Sequence, residues 1–394
     1  MIYLLVFILL LIPVVKYDWM AKTGGEKIWY YFSLVVLILL AGLRYRIGGD
    51  TLMYMAMYDE WPSINELKYF NFDDAEYQPL WYILTAICKS FSDDFVFFQL
   101  FHAAIVNSIF FYFFRKYCPQ YYFSAILIYF FGYYCYLNMG VMREVLCISL
   151  LLLGTSLLLQ KKWLLYYIVC IIAYFIHLSA LIMIAFPFAI WIFRKPLWKI
   201  QIIIYTLIIL LLNIVNVPLI VLNSLSVDGQ LSRLILSYIE SSPNIFGLIS
   251  QLLLYLPILG LAYLREKNHI HDRYDFTFIV MSSVVLYACS MSIVGFGRFL
   301  NYFAPYLIVY IVNTLYRIIY LEINKHQVSY LVLFCTLTIY FFNLSYFYLR
   351  DMSDYYPNTR NYIQFSPYNS VIDKEINEQR ERFIENYRDV QIQF

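Results

Sequence analysis

The sequence predicts an all-α fold, a polytopic membrane-helical bundle of about twelve spans. Three observations predict it. Hydrophobic residues make up 62% of the 394 residues and charged residues only 14%, against roughly 25% charged in an average soluble protein. Mean hydropathy is +0.66, more apolar surface than a soluble fold of this length could hide, so the solvent must be lipid. The apolar residues also come in runs, most of them near the ~20 residues that span a bilayer core.

The first run, 1–15, starts without a basic leader and reads as a first helix. Further runs follow at 28–43, 95–114, 121–137, 144–159, 163–193, 200–222, 245–264, 276–294, 299–316 and 328–349. The run 163–193 is too long for one span, since 31 residues make a helix of about 46 Å against a core of ~30 Å. It is expected to break near His177-Leu178-Ser179, because a histidine costs least where a helix end meets water. The shorter segment 79–91 is amphiphilic and is taken not to cross.

With that path, fifteen basic residues of the short loops, among them Lys16, Lys22, Arg115, Lys116, Lys161 and Lys162, fall on one side. Seven fall on the other: Arg44, Arg46, Lys68, Lys89, Arg143, Arg233 and Arg298. The positive-inside rule makes the first side cytoplasmic and puts both termini outside. The domain reading is a bundle over 1–349 with an acidic external loop at 44–78 and a shorter one at 223–244, then a polar external tail over 350–394. The part of the tail after Asn369 holds few apolar groups, so it is expected to cover little core and to be dispensable for folding.

A net charge of +2 implies no nucleic-acid partner. The seven cysteines lie in or beside apolar runs with no Cys-x-x-Cys pair, the pattern of free buried thiols, and no metal site is indicated.

The external basic residues are the informative ones, because the positive-inside rule acts against them. Arg44, Arg46, Arg143 and Arg298 sit where a helix meets the external face. A planar guanidinium there suits a phosphate or diphosphate, which it binds with paired, charge-assisted hydrogen bonds. The plainer alternative is snorkelling, or pairing with Asp50 or Glu144. Gly48-Gly49 permits a tight turn and close backbone approach to a ligand. Asp50 is either a general base or a helix cap. His177 is either a base for a sugar hydroxyl or a structural histidine between helices.

These residues also form a recognisable set. The stretch Ala41-Gly42-Leu43-Arg44-Tyr45-Arg46, followed by Gly48-Gly49-Asp50-Thr51 and Tyr54, resembles the first signature of EpsG-like, Wzy-type polysaccharide polymerases. Arg143-Glu144-Val145-Leu146-Cys147 resembles their second, with Glu144 where a glutamine is common. Phe175-Ile176-His177-Leu178-Ser179 resembles their Phe-His-x-Ser segment with one extra residue, and Arg298 with Tyr302 their late Arg-x-x-x-Tyr.

The resemblance implies an O-antigen or exopolysaccharide polymerase of the bacterial cytoplasmic membrane. It would move a growing glycan from undecaprenyl diphosphate to the non-reducing end of a new lipid-linked repeat unit. Arg44, Arg46, Arg143 and Arg298 would hold the diphosphate, His177 or Asp50 would act as base, and Tyr54 and Tyr302 would face the glycan. No cofactor or metal would be needed. The partners would be the undecaprenyl-diphosphate-linked oligosaccharide, membrane lipid and a chain-length regulator, for which the exposed tail is the candidate contact. A flippase of the same lipid-linked glycan and an O-antigen ligase are the alternatives. The near absence of charge inside the apolar runs favours the polymerase over the flippase. An early external loop, in place of a late one, favours it over the ligase.

Overall fold

The computed structural model describes residues 1–192, 258–290, 296–320 and 360–384, together with positions 200, 204, 207, 211, 345, 348 and 349. Most of the predicted run 200–222, the first part of the run 245–264, most of the run 328–349 and all of the loop 223–244 lie outside the described residues. The chain divides into two compact units. The first joins Met1–Ala185 to Leu344–Asp389, and the second comprises Phe186–Asn343 and Val390–Phe394. Among the described residues the regular structure is helical, with an isolated antiparallel bridge between Arg44 and Ser370.

In the first unit, α1 (Ile2–Pro13) runs on through a wider turn to Trp19, and α2 covers Glu26–Gly42. The short α3 (Gly49–Met57) and α4 (Pro79–Lys89) follow. Next come α5 (Phe95–Tyr117), α6 (Tyr122–Tyr129, continued in wide turns to Gly140), α7 (Met142–Leu159) and α8 (Trp163–Tyr174). The eleven residues of α4 rise about 16 Å, too little to cross a bilayer core as one helix. The long run breaks where expected. After α8 ends at Tyr174, the chain turns through His177 into a tight helical stretch, Leu178–Ala185.

Among the described residues, three helices are long and apolar enough to cross a membrane, Ile2–Trp19, Phe95–Tyr117 and Met142–Leu159, and others are apolar but shorter. The expected dozen spans are not counted out by the described residues.

α5 ties the first unit together through buried polar side chains on its length. Gln99 donates to the carbonyls of Gly42 and Arg44 at 2.8 Å each, His102 Nε2 to the Met142 carbonyl at 2.9 Å, and Asn107 to Asn138 Oδ1 at 2.8 Å. In lipid, where apolar burial between helices drives little association, such bonds and small-residue contacts fasten helices. Gly42 supplies the small-residue contact: a Cβ there would press on the side chain and Cα of Leu100 in α5. Asp18, at the end of the first helix, caps α6 from a distance by accepting the backbone N–H and hydroxyl of Ser124 at 2.6 and 2.7 Å.

In the second unit, α9 (Phe186–Ile192), α10 (Thr277–Ser290), the short α11 (Phe296–Phe299) and α12 (Ala304–Tyr320) are described. Arg265 pairs with Asp272 at 2.8 Å, donates to Thr314 of α12 at 2.9 Å and lies over the Tyr310 ring at 4.7 Å. That arrangement pins the 265–275 turn to α12.

The tail departs from expectation. Residues 360–384 fold back on the first unit and cover part of its core. Phe365 and Phe383 are buried, and Arg380 is 1% exposed. The contact combines backbone hydrogen bonds, one buried cation and a few apolar side chains, little of which a count of apolar residues registers.

Candidate functional site

The chain between α2 and α3 carries the first signature, and two glycines shape it. Gly48 has φ +95 and ψ 146, a region essentially reserved for glycine. A Cβ there would collide with the Met139 carbonyl. Gly48→Ala is therefore expected to disturb the loop at a cost of about 1–3 kcal/mol from backbone strain alone. The variant should insert in the membrane yet melt at lower temperature than the parent in detergent; an unchanged melting curve would contradict this.

One edge of the loop is completed by the tail. Tyr45 N–H donates to the Asn369 carbonyl (2.8 Å), Val371 N–H to Leu43 (2.9 Å) and Gly48 N–H to Gln364 (3.0 Å). Within the loop the two arginines meet different fates. Arg44 is 1% exposed. Its Nε donates to the Ile47 carbonyl at 3.1 Å, and its terminal nitrogens reach the Ala41 carbonyl and, at 2.9 Å, Thr51 Oγ1. Burial pushes its guanidinium down to about 10, so it remains cationic at neutral pH. Arg44 thus fastens the loop to the start of α3, and its donors are turned inward. Arg46, at φ +54, turns outward and pairs with Glu381 of the tail, its side chain 29% exposed.

α3 then docks on the start of α7. Asp50 Oδ2 accepts the Met142 N–H at 3.1 Å, capping α7 from 92 positions earlier in the chain. One turn on, Tyr54 Oη accepts from Arg143 Nε at 2.8 Å. So Asp50 and Tyr54, four apart on one face of α3, address the first two residues of α7. Arg143 also donates to Gln78 Oε1 at 3.2 Å and lies 4.2 Å above the Tyr77 ring, a cation–π contact. Behind it Tyr54 packs against Trp81, Trp61 and Tyr77 with ring centroids 5.1–5.8 Å apart. Burial holds the Tyr54 phenol well above its ordinary range, and the Asp50 charge adds to the rise. Tyr54 therefore stays neutral as the acceptor for Arg143.

His177 is tied to the same neighbourhood. Phe175, two residues before it, accepts the Leu80 N–H at 2.9 Å, just past Gln78. His177 Nδ1 lies 2.6 Å from Ser179 Oγ and accepts the Ser179 N–H at 3.1 Å. In a neutral ring this pattern assigns the proton to Nε2.

The structure thus brings Arg44, Arg46, Asp50, Tyr54 and Arg143 together in one unit, with His177 joined through the Gln78–Leu80 turn. Arg298 lies exposed on α11 in the other unit. The two tyrosines expected to face the glycan are both enclosed in the protein. Tyr54 is 1% exposed and Tyr302 is fully buried. Tyr54 serves Arg143, and Tyr302 belongs to the core of its own unit. Sequence reasoning missed Tyr77, Gln78, Arg380 and Glu381. Gln78 carried a weak signal, standing just before the proline that opens α4. Among the described residues, no group of three or more His, Cys, Asp or Glu side chains is placed to hold a metal ion.

The profile of the EpsG family matches residues 27–370, most of the chain. The chain belongs to the EpsG family. The match includes all four signature segments and the first part of the folded-back tail, and membership points to a polysaccharide-polymerase type of function in a membrane. No curated protein and no solved structure matches the chain.

Proposed function

We propose that the chain polymerises lipid-linked oligosaccharide repeat units at the outer face of the bacterial cytoplasmic membrane, taking the growing glycan from undecaprenyl diphosphate. The observation that carries this reading is the setting of Arg143. Its guanidinium is oriented by neutral partners, Tyr54 Oη and Gln78 Oε1, over an aromatic ring at the first turn of an 18-residue helix. A cation held this way keeps its charge for an outside anion, and the amino end of α7 adds to the attraction.

In the proposed reaction an acceptor hydroxyl oxygen attacks the anomeric carbon of the growing chain. The bond from that carbon to the diphosphate oxygen breaks, and the diphosphate leaves with the electron pair. The hydroxyl proton passes to His177 or Asp50. Arg143 and Arg46 stabilise the charge gathering on the leaving group. Arg44 shapes the loop that presents Arg46 and Asp50. Since a diphosphate is already a good leaving group, the step requires no metal.

The test is a reconstitution of the purified chain in liposomes with lipid-linked repeat units. A ladder of products differing by one repeat unit is expected. Movement of unaltered substrate across the bilayer without a ladder would identify a transporter instead.

A further inference from the structure

The three external arginines of the first unit differ in what neutralises them. Arg44 is buried among neutral acceptors, and Arg143 is held by a phenol, an amide and an aromatic ring. Arg46 faces a carboxylate, that of Glu381. This carboxylate arrives from 335 residues away on a purpose-held segment. Next to it, Arg380 is buried and donates to the carbonyls of Ile363 (3.0 Å), Arg46 itself (3.1 Å) and Pro367. The backbone of Arg46 and the backbone that carries Glu381 are therefore locked together, while the two charged heads stay partly open to water at 29% and 19% exposure. A guanidinium fork accepts a carboxylate and a phosphate in the same way.

We propose that Glu381 is a positioning residue that stands in for the substrate's diphosphate. It holds Arg46 in register when the site is empty, yields it to the more highly charged diphosphate, and re-pairs with it as the spent lipid diphosphate leaves. This rests on the diphosphate reading of the site given above. A built-in competitor lowers affinity for donor and product alike, so removing its charge should tighten binding and slow release. A brace with no such role would, when altered, cost stability and leave affinity alone.

The experiment measures binding of farnesyl diphosphate to the purified full-length chain in detergent, with farnesol as the uncharged control, alongside thermal melting and polymerisation kinetics. Glu381→Gln should bind farnesyl diphosphate about two- to fivefold more tightly, the scale of a half-exposed ion pair. KM for the lipid-linked donor should fall with it and kcat should not rise. Farnesol binding should not change. In an Arg46→Gln background the same substitution should bring no gain. Unchanged or weaker binding by Glu381→Gln, or a gain that persists without Arg46, overturns the proposal. Should Glu381→Gln fail to fold, Glu381→Asp keeps the charge but withdraws it by one methylene and should show a smaller tightening; none would overturn the proposal equally. If the parent chain binds farnesyl diphosphate and makes a ladder while these variants do not behave as stated, only this inference falls. If the parent does neither, the functional reading falls and takes this with it.

Discussion

Replacing Arg143 by lysine is expected to leave a folded, membrane-inserted protein that polymerises about 10²–10³ times more slowly, the usual loss for one electrostatic stabiliser of a leaving group. Lysine keeps the charge. It cannot donate to Tyr54 and Gln78 through fixed nitrogens while lying flat on Tyr77, so the direction of the cation is lost. Arg143→Ala should lose more activity and some stability, because the buried Tyr54 hydroxyl would lose its donor, at about 1–3 kcal/mol. Arg44→Lys should differ in kind: its five N–H groups organise the loop, so it should lower the melting temperature as well as activity. Product ladders normalised to inserted protein, read beside melting curves, separate the two cases. Near-parental ladders from Arg143→Lys would remove Arg143 from the chemistry.

Truncation after Asn369 is expected to destroy the fold of the first unit, the opposite of what the composition of the tail predicts. It removes Arg380 and Glu381, the Val371–Leu43 hydrogen bond and the buried ring of Phe383. The carbonyls of Ile363, Arg46 and Pro367 lose a charged donor together. At about 1–3 kcal/mol for each unsatisfied buried group, the loss approaches the whole stability of a typical domain, about 5–15 kcal/mol. Size-exclusion chromatography of detergent extracts should show aggregated or missing protein, with Arg380→Ala carrying a large part of the defect alone. A truncated chain that elutes as a sharp, parental peak would show the contact to be dispensable.

What the sequence made legible was local. The break at His177 followed from a run too long for one span, and the arginine-bearing signatures stood out because charge at the external face needs a reason. What it hid was pairing between distant segments. Arg44 and Arg46 look equivalent two residues apart, yet the left-handed turn at Arg46 sends one inward and the other toward Glu381. Tyr54 has the composition of a sugar platform. It is buried because Trp61, Tyr77 and Trp81, up to 27 positions later, close around it. The docking of the tail was hidden because it joins backbone groups, which no residue type advertises, to a few scattered side chains, Phe365, Arg380 and Phe383.

The first unit is assembled from Met1–Ala185 and Leu344–Asp389, with most of the second unit, Phe186–Asn343, encoded between them. This imposes an order in time on synthesis. When the loop bearing Arg44 and Arg46 leaves the ribosome, the residues that complete its edge have not been made. At elongation rates of roughly 5–20 residues per second, the wait from residue 185 to residue 380 is on the order of 10–40 s. During that interval the Leu43 carbonyl and the N–H groups of Tyr45 and Gly48 lack the partners they have in the finished fold. On the proposed reading, the loop that carries Arg46 and Asp50 takes its final shape only when residues 360–384 have been made and dock. A chain released within the second unit would keep that backbone edge open, because Gln364, Asn369 and Val371 would never be added.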